Sequence, residues 1–212
     1  MKNKPNKWCM KSWVLAGGKS GYCFEWKIYE GKEDDQHNTG YGVVWSLSEH
    51  VQPGQNLFVN NFFNSVALCS DLKDRGIGCC GTVRANRVDN PPQLKVFKKG
   101  TPKRTLEELS PLFLRNQTNG VLAVGWQDKR PVTVLSTIDG AGTTTLRMRG
   151  GRGPDGHREV DKPNAINNYN NYMGGGVDIG QVRPVQQLLH DSQQNHEVVE
   201  EGILPFVGDS SN

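Results

Sequence analysis

No apolar run of about twenty residues occurs anywhere in this chain, so no segment reads as a helix able to cross a bilayer. The first residues, "MKNKPNKWCMKSWV", are basic but lack the apolar stretch of a secretory signal, and the chain is read as soluble. Strong charge is absent too: a net charge of +3 permits nucleic-acid binding without requiring it, because only clustered charge makes a strong field. The five cysteines (Cys9, Cys23, Cys69, Cys79 and Cys80) are odd in number, include a vicinal pair and show no zinc spacing. A reducing, intracellular compartment fits them best. In that setting the sequon at Asn116 carries little weight.

Catalytic signatures are equally scarce. His37, His50, His157, His190 and His196 are scattered among polar residues, with neither an HExxH spacing nor a serine in a G-x-S-x-G elbow. "WVLAGGKS" ends like a phosphate loop, yet Trp13 stands where the first glycine is required, and the stretch leads into a strand, so a hairpin turn is the better reading. "GRGPDG" fits G-x-G-x-x-G only as letters, since Pro154 interrupts it and no helix follows.

The chain of 212 residues is long enough for one domain, or one domain with an insertion. "KWCMKSWVLA" and "GYCFEWKIYEG" read as strands of a hairpin around "GGKSG". "VVWSLSEHV" reads as a short helix, and "LFV" as a buried strand after the turn "QPGQ". In "SVALCSDLKDRG" a capping serine, helical spacing of apolar residues and a terminal glycine predict a helix from Ser65 to Gly76. "IGCCGTVRANR" follows as a strand, giving a mixed α/β order. Residues 88 to 120 are rich in proline and charge, with a short helix expected at "TLEELSP". The basic run "KVFKKGTPKR" reads either as a solvated loop or as a track along a phosphate backbone. "VLAVGWQDKRPVTVLSTI" predicts a second hairpin, residues 139 to 163 a loop on the strength of six glycines, and "NAINNYNNYM" a helix. The final thirty residues are polar and acidic, with fraying expected.

One stretch asks for explanation: "LFVNNFFNS" ends a buried strand in two amides, Asn60 and Asn61, where a charged group would be more usual. Together with "NKPNKWCMKSWVLA", "GYCFEWKIYEGK", "LFVNNFFNSVALCSDLKDRGIGCCGTVRANR" and "KPNAINNYNNYMGGGVD", in that order and spacing, it resembles the catalytic core of the piggyBac transposase family and the domesticated proteins derived from it. The resemblance covers roughly residues 3 to 180.

It implies an RNase H-like fold, a mixed sheet with flanking helices, carrying an insertion. The implied division is core 1–87, insertion 88–160, last core helix region 161–185 and a polar, disordered tail 186–212. Such cores cut and join DNA with two Mg²⁺ ions about 3.5–4 Å apart, held by clustered carboxylates. The family's first acid precedes the stretch where this chain begins, so the first strand and its acid are expected to be missing and the sheet edge incomplete. The second acid falls at Asn60, an amide that can offer oxygen but no charge. The third is matched by Asp178 in "GGVD" (Gly175, Gly176, Val177, Asp178), and where a further aspartate is expected three residues on, either Gln181 stands in its place or a residue has been lost.

With Asp178 as the single retained metal-binding carboxylate, the resemblance implies a catalytically inactive remnant, no cofactor and, if any partner, weakly bound DNA, with no membrane. Arg84 and Arg87 match a basic pair that the family sets against target DNA, although a solvated strand end would look the same. The family's cysteine-rich zinc domain has no counterpart after Gln181. Two alternatives stay open: a fragment of an active transposase, and a protein-interaction module. A nuclear location follows from the resemblance.

Overall fold

The computed structural model describes residues 12–29, 39–98, 100, 111–149, 156–173 and 206–208. Eight strands form one mixed sheet, and two more form a separate ribbon. The first described strand, β1 (Ser12–Gly17), turns through Gly21, at φ +67°, into β2 (Cys23–Ile28). Five of the six β1 residues are buried, because both its faces are covered: Trp13 and Leu15 join one core cluster, Val14 and Ala16 the other. Such double burial is why β1 reads as a continuous apolar run rather than an alternation.

Helix α1 (Gly40–Leu47) starts at Thr39, whose hydroxyl accepts the Gly42 N–H, and buries Val43, Val44 and Leu47. It begins three residues before the predicted start at Val43, through Gly40 and Gly42. Gly40 is required there: a Cβ would lie 2.5 Å from the carbonyl oxygen of Phe62. Strand β3 (Asn56–Val59), helix α2 (Val66–Asp74) and strand β4 (Gly78–Thr82) then make a β-α-β unit whose strands are parallel, with Leu57 opposite Cys79.

Helix α2 forms as its sequence predicts. Ser65 Oγ accepts the Leu68 N–H at 3.1 Å, while Leu68, Cys69 and Leu72 face the core. It stops where Gly76, at φ +74°, lets the Gly76 and Ile77 N–H groups bond back to the Lys73 and Leu72 carbonyls, a Schellman closure.

The sheet continues through residues expected as an insertion. A short 3₁₀ helix (Pro92–Phe97) leads to β5 (Leu112–Arg115), β6 (Leu122–Gln127) and β7 (Pro131–Ser136), and β7 pairs antiparallel with β4. Residues 139 to 163 correct the expectation of a loop. They hold β8 (Thr143–Arg149) and β9 (His157–Pro163), paired with Leu146 opposite Val160. The glycines lie before and between the two strands, while Thr143, Thr144 and Thr145 favour extended backbone. Strand β9 runs directly into helix α3 (Asn164–Tyr172).

Strand order is β2-β1-β10-β3-β4-β7-β6-β5, where β10 is Phe206–Gly208, within the segment expected as a tail. This strand lies inside the sheet, parallel to β1 and antiparallel to β3. Helices α1 and α2 cover the face carrying Trp13, Leu57 and Cys79, and α3 covers the face carrying Phe58, Cys80 and Val124. A helix "TLEELSP" lies outside the described residues.

Candidate functional site

The carboxyl ends of the parallel strands β3 and β4 lie side by side, an arrangement in α/β sheets that gathers functional loops. The loop after β3 is Asn60 to Asn64. Asn60 folds it: its Oδ1 accepts the Phe62 N–H at 2.9 Å, and its carbonyl accepts the N–H groups of Phe63 and Asn64. This is an Asx turn, the conformation short amide and carboxylate side chains favour.

The two phenylalanines that follow anchor the loop. Phe63 is fully buried, and Trp13 stacks on Phe62 at 5.8 Å and meets Phe63 edge-on at 5.5 Å. Asn64, which sequence reasoning did not single out, is also fully buried. Its Nδ2 donates to the Gly81 carbonyl at 2.6 Å and its Oδ1 accepts from the Cys69 thiol, so one amide ties the loop to β4 and α2. A polar residue between a buried phenylalanine and a helix cap was the available signal.

After β4 the chain turns at Arg84, whose carbonyl accepts from Arg87 N–H and from Asn90 Nδ2. The two arginines part company here. Arg84 is exposed, whereas Arg87 is half-buried and its Nη1 donates to the carbonyls of Asn61 at 3.4 Å and Phe62 at 3.3 Å. The Asn60 loop and Arg87 are thus brought together, and Arg87 acts as a strut for that loop. Asp178, with the rest of "GGVD" and Gln181, lies outside the described residues.

Other polar groups are buried elsewhere on the sheet. Asp139, buried after β7, accepts from Ser136 Oγ at the end of that strand at 2.7 Å and, with its other oxygen, from Asn168 Nδ2 of α3 at 2.5 Å, so it ties α3 to the end of β7. Burial, and then the negative charge of Asp139, pushes the Cys80 thiol well above its ordinary pKa. The Cys79 thiol is raised as well, by its hydrogen bond with Cys69 and by burial. These cysteines pack as small apolar side chains.

Among the described residues, no group of three or more His, Cys, Asp or Glu side chains could hold a metal ion. At position 60 the donor is a neutral amide oxygen already engaged with the Phe62 N–H, which does not fit a pair of hard divalent cations. No helix among the described residues is long and apolar enough to cross a membrane.

A mixed sheet flanked by helices, with its loops gathered at the ends of two parallel strands, defines an α/β core of the RNase H-like fold. The family described as Transposase IS4 matches residues 1–200, and the chain belongs to it. Its relatives include the human piggyBac transposable element-derived protein 3, 33% identical over 184 residues, which cover 82% of this chain and 30% of that protein. The human chimeric ERCC6-PGBD3 protein is 33% identical over 82% of this chain and 17% of its own length. The human piggyBac transposable element-derived protein 2 is 25% identical over 62% of this chain and 22% of its own length. Among solved structures, a piggyBac transposase synaptic complex with hairpin DNA superposes with a TM-score of 0.61 at 21% identity, over 93% of this chain and 37% of that one. The chain thus spans less than a third of the length of these curated relatives.

Proposed function

We propose that this chain is a catalytically inactive remnant of a cut-and-paste DNA transposase core that retains weak binding to DNA. The observation carrying the reading is Asn60. It stands where the resemblance calls for a carboxylate, and its amide oxygen serves the turn of its own loop. A neutral ligand at that point does not offset cation charge, and metal affinity falls accordingly. DNA contact would then rest on exposed cations, with Arg84 as the leading residue because Arg87 is committed to the loop. A nuclear site of action goes with this reading.

Two measurements test it. Calorimetric titration of Mn²⁺ or Mg²⁺ into the native chain should show no binding, and Asn60→Asp should restore some if only charge was lost. On duplex DNA at low salt, Arg84→Ala should weaken binding across all sequences and lower the salt slope by about one unit. Mg²⁺-dependent nicking or strand joining by the purified chain would overturn the reading, and unchanged DNA affinity in Arg84→Ala would remove that residue from it.

A further inference from the structure

Helix α2 and strand β4 each turn one cysteine into the same core cluster. Cys69 and Cys79, ten residues apart in sequence, are fully buried with their sulfurs 3.4 Å from one another. To form a bond of about 2.05 Å the two sulfurs need close by only roughly 1.4 Å. The other described cysteines are placed elsewhere: Cys80 faces the opposite side of β4, where its thiol donates to the Ala165 carbonyl at 3.5 Å, and Cys23 is exposed on β2. Adjacent strand residues point to opposite faces, so the vicinal pair Cys79 and Cys80 is kept apart while α2 brings Cys69 to Cys79.

The pair is coupled to the Asn60 loop through one hydrogen. The Cys69 thiol donates to Asn64 Oδ1 at 3.1 Å, while Asn64 Nδ2 holds the Gly81 carbonyl at 2.6 Å and the Asn64 N–H is held by the Asn60 carbonyl. A sulfur in a disulfide carries no hydrogen. Asn64 Oδ1 would then lose the Cys69 donor in a fully buried position, and a buried acceptor left without its partner is costly. Opening of residues 60–64 toward water relieves that cost. Oxidation therefore acts in two directions, fastening α2 to β4 and loosening the loop that Asn64 ties down.

We propose that Cys69 and Cys79 are a reversible oxidation site, a disulfide that forms with hydrogen peroxide and sets the order of the Asn60 loop. During a local opening, one sulfur attacks a peroxide oxygen as thiolate, giving a sulfenic acid and hydroxide, which regains the proton as water. The second sulfur attacks the sulfenic sulfur, and its own proton leaves with the displaced hydroxyl as a second water. Two thiols lose two electrons in all, and one peroxide gains them. Burial makes the reaction slow and favours an oxidant hardly larger than water. In a reducing compartment such a bond is transient, as sensing disulfides are. It depends on neither metal nor DNA binding.

The test is to expose the reduced full chain to graded hydrogen peroxide, cap free thiols by alkylation and map tryptic peptides without reduction. Cleavage at Lys73 and Arg75 separates the two cysteines, so the bond appears as a joined peptide pair that a dithiol reductant releases. Cys80→Ser should leave that pair intact and so assign the bond to Cys79. Hydrogen exchange of the oxidised chain should be about tenfold faster at the amides of residues 62–64 and slower in α2, both returning on reduction. Cys69→Ala should abolish the joined pair and the peroxide response of the loop, with circular dichroism to check its fold; the native chain alone decides if that variant does not fold. Oxidation confined to Cys23, a joined pair formed only in denaturant, or a joined pair that leaves exchange at residues 62–64 unchanged would each overturn the proposal.

Discussion

The β3-α2-β4 unit and the β1-β2 hairpin contain the same kinds of residue, yet they use them in opposite ways. In the first, the aromatic and polar groups of the Asn60 loop are consumed inside the molecule: Phe63 and Asn64 are fully buried, and even the arginine that looks like a ligand-binding group braces the loop. In the second, β1 is covered on both faces while β2 keeps one face bare. The architecture of the Asn60 loop does not depend on a carboxylate at that position. It depends on a turn that an amide makes as well.

The sharpest way to break this contrast is Phe63→Ala. Removing a fully buried ring that packs on Trp13 should cost about 3–5 kcal/mol in denaturant unfolding, and a value near that of a surface substitution would refute the interior role of the loop. Next, Asn60→Ala removes the acceptor of the Phe62 N–H and should cost about 1 kcal/mol, whereas Asn60→Asp keeps an acceptor and should be near neutral by the same measurement. On the hairpin, Trp26→Thr should change the unfolding free energy by no more than about 0.5 kcal/mol, since the ring is largely exposed.

The smallest effect concerns Tyr41, whose hydroxyl donates to Asp71 Oδ2 at 2.7 Å and whose pKa is pushed up from 10.0 to about 12, chiefly by that bond and then by burial. A raised pKa favours the protonated folded form. Its contribution is therefore complete below pH 10 and fades as pH rises toward about 12. Tyr41→Phe should flatten that part of the stability profile relative to the native chain.

Much of the fold was legible because its signals are local. Ser65 and Gly76 bracket α2 by cap and stop, and the hairpins are apolar runs around turn residues. The misreadings have equally physical origins. The glycines of residues 139 to 163 outweighed the run of threonines that builds β8, and Gly40 hid the start of α1 because glycine there answers a close approach by Phe62, not a local preference. At the candidate site, Asn60 stood out in the sequence because an amide ends a buried strand. The bond of Arg87 to the Asn60 loop did not, because it joins segments that only the pairing of β3 with β4 brings together.

Strand β10 also sets an order of events. The backbone of Phe206 pairs with that of Ala16 on one side and Phe58 on the other, so the hairpin and the rest of the main sheet are laced together by residues that a ribosome delivers long after both. Until then the β3 to β7 portion can assemble among its own neighbours, while β1 waits with one edge open. Pairing between residues so far apart in sequence forms slowly, and the waiting edge is vulnerable to pairing with strangers. For this chain, the hazardous interval of biosynthesis lies between the completion of β7 and the arrival of Phe206.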